Sequence, residues 1–345
     1  MRIKVIFVIL PFLLLISTLT AVSDEFEGAI ERLVADLSEK AGIGGRPMRV
    51  SVGNFTYGET KFASAFAYFL QRQLEDAISG SKSFELLDRR ELDRILKELD
   101  LSLSDLFDPE TAPPIGKLKG LEAILTGSYA IWGDTVRVSA CLVKVGTTRK
   151  FTCSTSIPMR SIPENVRIKP ERFDQAVNDE KLFHKPEKGE DEGKGLKVKV
   201  WVDRGEGGTY AAGERLFILF KANMDCYVKI YDIPAGGKPR LIFPNRWHAD
   251  NKVKGDKVYR IPEGDYGFDL IVTEPFGPET LLAVASTHQF PDIEEELKLA
   301  RSKPFPEVEE SARSLSVKLR GLTPFPKSLN AQTICTFTTV PKIVK

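Results

Sequence analysis

The run Lys185-Pro186-Glu187-Lys188-Gly189-Glu190-Asp191-Glu192-Gly193-Lys194-Gly195 contains no apolar side chain. Such a stretch has nothing to bury and cannot offset the entropy lost on ordering, so it can join folded units but cannot belong to a core. It divides a chain of 345 residues into two parts of domain size, each with its own periodicity. Before it, apolar residues at helical spacing alternate with short strands. After it, short strands follow one another between turn residues. The expected fold is an α/β N-terminal domain with a mixed sheet over 24–160, a linker over 161–195, and an all-β, sandwich-like domain over 196–341.

The N-terminus bears on compartment. Arg2 and Lys4 precede an apolar stretch from Val5 to Ile16, and small residues at Ala21 and Ser23 come just before Asp24. A basic start, a short apolar centre and small residues near a cleavage point read as a secretory signal over 1–23. The apolar stretch is well short of the roughly 20 residues that span a bilayer. Cleavage would take two positive charges with it and leave the remainder one charge to the negative side of neutral. A lipid anchor would need a Cys directly after the apolar centre, but the first is Cys141, so none is expected. The expected location is the periplasm. With 49 basic against 48 acidic side chains, the composition lacks the surplus that phosphate neutralisation requires, which argues against nucleic acid.

Within the first part, Phe26, Ile30, Leu33, Val34 and Leu37 mark an amphipathic helix over Asp24–Lys40. Met48–Phe55 alternates as a strand, Lys61–Ser79 reads as a helix stopping at Gly80, Phe84–Asp88 as a short strand and Glu91–Leu99 as a second helix, with Asp88 as its cap. A third, shorter helix is expected within Asp108–Gly120, then a meander over Ala123–Trp132, Thr135–Val145 and Lys150–Ile157. If the second hairpin turns about Thr147, Cys141 and Cys153 lie opposite one another and can bridge. Cys226 and Cys335 would then pair by default, although four cysteines allow three connectivities.

The segments Val52-Gly53-Asn54-Phe55, Phe84-Glu85-Leu86-Leu87-Asp88-Arg89-Arg90-Glu91-Leu92-Asp93 and Gly116-Lys117-Leu118-Lys119-Gly120-Leu121-Glu122-Ala123-Ile124-Leu125-Thr126-Gly127-Ser128, in that order, resemble the curli-secretion CsgG family (CsgG/FlgO-like) over about residues 25–157. The resemblance implies the α/β fold and an envelope location. That family includes a nonameric outer-membrane secretion pore, flagellar outer-membrane accessory proteins and relatives similar to lipoprotein activators of peptidoglycan synthases. Two departures set this chain apart from the pore. The lipid-accepting Cys is missing, and the hairpin turns at Gly133-Asp134 and Gly146–Thr148 leave no long membrane-inserting strands. The implied partners are envelope proteins or further copies of this chain, with peripheral contact to the outer membrane as an option.

Beyond Leu196, strands are expected at Val198–Val202, Leu216–Phe220, Tyr227–Tyr231, Arg240–Phe243, Lys257–Ile261, Tyr266–Thr273, Leu281–Ser286 and Thr333–Val340, with one helix at Ile293–Ala300. Gly213-Glu214, Asp225-Cys226-Tyr227, Leu241-Ile242-Phe243-Pro244-Asn245, Asp250-Asn251, Ile261-Pro262 and Pro275-Phe276-Gly277, in sequence, resemble the domain-of-unknown-function family 4384 over about 195–290. That resemblance implies an accessory domain and brings no activity with it.

No catalytic constellation emerges. His184, His248 and His288 have no neighbours at metal-ligand spacing, and Asn245-Arg246-Trp247-His248-Ala249-Asp250-Asn251 reads as a turn. Gly-x-Ser-x-Gly, His-Glu-x-x-His and Cys-x-x-Cys are all missing. No cofactor is called for. The expected function is a non-enzymatic exported envelope protein that binds partners in outer-membrane assembly or secretion. The alternatives are a periplasmic regulator of a peptidoglycan synthase and an enzyme with an unfamiliar site around Asp225, His248 and Asp250.

Overall fold

The structure, a computed structural model, describes residues 12–99, 101, 103–106, 115–147, 149–183, 195–264, 266–321 and 329–343. The charged run 185–194, His184, the start of the expected signal and residues 108–114 of the expected third helix lie outside the described residues.

The first helix, α1 (Phe12–Lys40), runs unbroken well before its expected start. From Phe26 onward it buries Phe26, Ile30, Leu33 and Leu37. Strand β1 (Met48–Tyr57) leads through Ser64 into α2 (Ala65–Gly80), whose cap is the Ser64 hydroxyl accepting from the Phe66 amide at 3.2 Å. Residues Phe66, Leu70, Leu74 and Ile78 lie at helical spacing and are fully buried; each contributes roughly 1.5–3 kcal/mol on the apolar-area scale. Then come β2 (Phe84–Leu86), α3 (Arg89–Glu98), β3 (Ala123–Trp132), β4 (Thr135–Lys144) and β5 (Lys150–Pro158). The sheet order is β2-β1-β3-β4-β5, with β1 parallel to both neighbours and the rest antiparallel. Helices α1 and α2 cover one face. On the other, Leu92, Ile95 and Leu96 of α3 pack with Leu106 and Leu118 from short 3-10 turns. Asp88 stands just before α3 and its Oδ1 accepts from the Arg90 amide at 2.7 Å, the capping role its sequence position suggests. At Gly127 an added Cβ would fall 2.7 Å from the Phe55 ring and closer still to the Ser139 carbonyl, so β3 must be bare there for β1 and β4 to close around it.

Residues 161–183, expected as linker, are packed. Ile162 and Val166 join the N-terminal core. Helix α4 (Phe173–Phe183) places Ala176 with Phe62 and Ala235, and Phe183 with the C-terminal core.

The C-terminal region contains β6 (Val198–Val202), β7 (Gly208–Ala211), β8 (Arg215–Leu216), β9 (Ile218–Ala222), β10 (Cys226–Pro234), β11 (Arg240–Phe243), β12 (Lys252–Val253), β13 (Val258–Ile261), β14 (Leu270–Ile271), β15 (Gly277–Ser286), α5 (Ile293–Ser302), α6 (Ala312–Gly321) and β16 (Asn330–Val340). The large sheet runs β11-β10-β15-β16-β7, with β12 also on β10, and faces a smaller one ordered β13-β9-β6. Val228, Ile230, Leu281, Ala283 and Phe337 meet Val200, Val202, Ile218 and Phe220 between them. The sandwich is thus present, with one addition. The outer face of the large sheet, with Tyr231, Ile233 and Leu282, lies beneath α4, α5 and α6. Neither α6 nor β7, which pairs in parallel with β16, stands out in the sequence.

All four cysteines are free, and the fold explains why both expected bridges fail. Cys141 pairs with Thr152, and Cys153 with Ala140, one residue off the register that would set them opposite. Because strand side chains alternate, that single step sends the two thiols to opposite faces of the sheet. Cys153 is buried in the core, while Cys141 is half-buried on the other side. Cys226 and Cys335 lie on β10 and β16, with β15 between. Cys335 aligns with Leu281, which aligns with Asp232, six residues from Cys226. Two strand spacings and six residues separate the pair by ~20 Å, far beyond the ~7 Å reach of a disulfide. Burial pushes the Cys226 thiol up to about 11 and the Cys335 thiol higher still.

Candidate functional site

The two regions meet in a polar seam centred on Asn54, in the Val52-Gly53-Asn54-Phe55 motif. Asn54 is 5 % exposed, and its Nδ2 donates to the carbonyls of both Arg204 and Glu206 at 2.8 Å. The Arg89 guanidinium spans the same joint, donating to Val52 O at 3.0 Å and to Asn54 Oδ1 and Arg204 O at 3.2 Å. Arg204 lies 3.5 Å from Asp93 and 2.8 Å from Glu214, and Tyr68 donates to Glu214 at 3.1 Å. Burial opposes the charge on Arg204, but Asp93, Tyr210 and Glu214 together hold its pKa above the ordinary arginine value. Burial, followed by Asp93, raises the neighbouring Asp203 carboxyl. The Ala63 amide donates to Thr338 Oγ1 at 3.0 Å, and Lys61 pairs with Glu206 at 3.1 Å. Gly207, at φ +73°, makes the close approach possible, since a Cβ there would stand 2.7 Å from Thr56 Cγ2. This density of directional contacts fixes one region against the other.

Such docking covers part of the first region and leaves its hairpin tip free. Trp132, last residue of β3, is 72 % exposed, with Ile131 beside it at 37 %. The Met159 amide donates to Asp134 O at 2.9 Å, which ties the end of β5 to the tip, and its side chain is 36 % exposed. Arg160 pairs with Glu25 at 2.7 Å, which brings α1 to the same end of the sheet. Ile131 stands opposite the buried Val136 on the core face, so Trp132, on the other face, is by itself the kind of exposed anchor that partner interfaces bury.

The motif residues of the C-terminal region turn out to shape the chain. Asp225 accepts from Lys254 Nζ at 2.7 Å and the Gly255 amide at 2.9 Å, and these two contacts hold its carboxyl below the usual range. Cys226 is core, and Tyr227 is half-buried on β10. Phe243 is buried, and Pro244 follows through a cis peptide bond. Asn245 is fully buried and builds the next turn: its Oδ1 accepts from the Trp247 and His248 amides at 3.0 and 2.9 Å. Asp250 accepts from the Lys252 amide at 2.9 Å, and Asn251 exchanges two amide hydrogen bonds with Gln289. His248 packs against Phe243 and Tyr259, and burial lowers its pKa. Asp225 is therefore held by Lys254 at the start of β10 and does not join His248 and Asp250 in a site. Among the described residues no group of three His, Cys, Asp or Glu is arranged to hold a metal. No described helix is long and apolar enough to cross a membrane.

The seam residues Arg89 and Arg204 carried no functional signal in the sequence. Trp132 was visible only as a residue next to a turn, since nothing local separates an exposed Trp from a packed one.

The family profile for curli production assembly/transport component CsgG matches residues 35–145, and that for the domain of unknown function DUF4384 matches residues 209–289. No curated protein matches the chain. Among solved structures, the LpoB C-terminal domain from Salmonella enterica is 20 % identical, with 39 % of this chain and 98 % of that one covered at a TM-score of 0.30. The LpoB C-terminal domain from Escherichia coli is 18 % identical, with 38 % and 97 % covered at 0.30. TolB from Acinetobacter baumannii is 12 % identical, with 70 % and 69 % covered at 0.21.

Proposed function

We propose that this chain is an exported bacterial envelope protein that binds another envelope protein as an accessory to assembly or secretion at the outer membrane, without catalysing a reaction. The observation that carries the reading is Trp132, exposed at the β3–β4 hairpin within the residues that match the CsgG profile. Burying an exposed Trp removes area worth several kcal/mol at ~25 cal/mol per Å², enough to make a hot spot for a protein partner. The reading further takes residues 1–23 as a cleaved signal and the periplasm as the place of work, on the basic start and short apolar centre of that segment.

A photo-crosslinking amino acid placed at Trp132 in cells tests the reading. The expected product is an adduct with an outer-membrane assembly or secretion component. An adduct with a peptidoglycan synthase would replace this reading with regulation of wall synthesis. Adducts no more frequent than at Val317, an exposed residue on α6, would remove the tip as a partner surface.

A further inference from the structure

One end of the C-terminal sandwich encloses a cavity of about 240 Å³. Leu216, Ile218, Ile242, Val272, Phe305 and Phe337 make its apolar walls, and Asp232, Glu279 and Arg240 reach it with their charges. Asp232 aligns with Leu281 across β10 and β15, so Glu279, two residues away, falls on the same face as its diagonal neighbour. Asp232 is 5 % exposed; no N–H or hydroxyl donates to its Oδ1, and its carboxyl shares a hydrogen bond with that of Glu279. Glu279 receives one from Thr339 Oγ1 at 3.0 Å. The Arg240 guanidinium stays 3.7 Å from Asp232 Oδ2, an ion-pair distance outside hydrogen-bond range. Two hydrogen-bonded carboxyl groups therefore face the cavity with a single cation, Arg240, paired to Asp232. Glu274, at the rim, adds a third acidic group to the lining.

Burial, and next the neighbouring Asp232, pushes Glu279 well above the ordinary carboxyl range; burial raises Asp232 as well, against the pull of Arg240. While the cavity is empty, the pair is eased by holding a proton between its members, as like charges this close disfavour double ionisation. A compact cation with several N–H donors would meet Asp232 Oδ1 and Glu279 together, and one proton would leave to solvent as it entered. Its apolar stem would lie against the Leu216, Ile218 and Phe337 wall.

We propose that this cavity is a binding site for a primary ammonium group on a short alkyl chain, presented either by a free alkylamine or by a lysine side chain. A point-like ammonium suits the space better than a second guanidinium, whose planar fork calls for a bidentate carboxylate in open geometry.

Calorimetry on the full chain tests this with n-pentylamine, with Nα-acetyl-lysine amide, and with n-pentanol as the neutral control. Saturable binding of at least one amine, without binding of n-pentanol, is expected. The apparent heat should differ between phosphate and Tris buffers because a proton is released. Binding of both amines would identify a lysine side chain as an acceptable source; binding of n-pentylamine alone would restrict the site to free amines. The double variant Asp232→Asn with Glu279→Gln should weaken binding at least tenfold. Ile271→Trp, at the exposed rim, should block entry without disturbing the core. No saturable amine binding in the millimolar range, or equal binding by wild type and the amide double variant, would overturn the proposal.

Discussion

Strand β10 carries two clusters of buried charge, three residues apart and on opposite faces, and they are built in contrasting ways. Lys229, whose side chain has no exposure, points under the helices and pairs with Asp292 and, at 2.8 Å, with Glu296. Lys318 closes the network at 3.0 Å from Asp292 and 2.8 Å from Glu310, and the Tyr231 hydroxyl donates to Glu296 at 2.7 Å. Burial opposes ionisation of Asp292, yet Lys229 and Lys318 hold its pKa below the usual value. Asp232, on the other face, has a like-charged neighbour and a cation too far off to donate. The first cluster sets two lysines against three carboxyl groups within the fold and ties α5 and α6 to the sheet. The second has one cation for two carboxyl groups that share a hydrogen bond. Position on a strand thus says little about a buried charge; the completeness of its partners says more.

The largest expected effect comes from breaking the complete cluster. Lys229→Met would leave Glu296 buried without its cation and Asp292 with Lys318 alone, and should cost about 3–5 kcal/mol of stability in urea unfolding. A loss below about 1 kcal/mol would mean the network is dispensable and erase the contrast.

Next is the seam, where most polar groups are likewise paired across the joint. Asn54→Ala takes its donor from the Glu206 carbonyl, leaves the Arg204 carbonyl with Arg89 alone and removes an acceptor from Arg89. It should cost about 2–3 kcal/mol, and calorimetry should resolve two thermal transitions as the regions uncouple.

The incomplete cluster should respond in the opposite direction. A carboxyl whose folded pKa lies above its unfolded value is favoured in its protonated form by folding. Stability is then lost as pH rises from about 4 through the raised value. Glu279→Gln removes that loss. It should stabilise the ligand-free protein by about 1–2 kcal/mol at pH 8 and change little at pH 4, as followed by thermal melts at the two pH values. Destabilisation at pH 8 would show that the carboxylate is satisfied after all.

The smallest stability effect belongs to the hairpin tip. Trp132→Ala should stay within about 0.5 kcal/mol of the parent in the same melts, because that side chain packs against little in the isolated chain. A larger loss would make Trp132 structural and weaken its reading as a partner anchor.

Much of the first sheet was legible because local pattern and burial agree there. The periodicities of α2 and α3 and the meander of β3 to β5 report apolar faces, and β1, expected to alternate, is a strand buried on both faces. The register of β4 against β5 was not legible. It depends on the geometry of one turn, and a one-residue error moved Cys141 and Cys153 from opposite each other to opposite faces. In Tyr227-Val228-Lys229-Ile230-Tyr231 the central lysine reads as the solvent face of a strand, but helices far along the chain cover that face and pair with it. For the same reason β7 was missed: Gly208-Thr209-Tyr210-Ala211 becomes a strand only beside β16. The cavity was invisible too, since Asp232 and Glu279 meet only once β10 and β15 are in register.

By itself the sequence determined the two-part layout, the α/β character of the first part, the strand-rich second part and the order of the two family motifs, all of which follow from hydrophobic periodicity and turn residues acting over short distances. Tertiary structure alone decided which charges are neutralised, which thiols could meet, which motif asparagine locks the regions together and which tryptophan stays free. Those outcomes depend on residues distant in sequence approaching within hydrogen-bonding range, where desolvation makes a matched partner stabilising and a missing one costly.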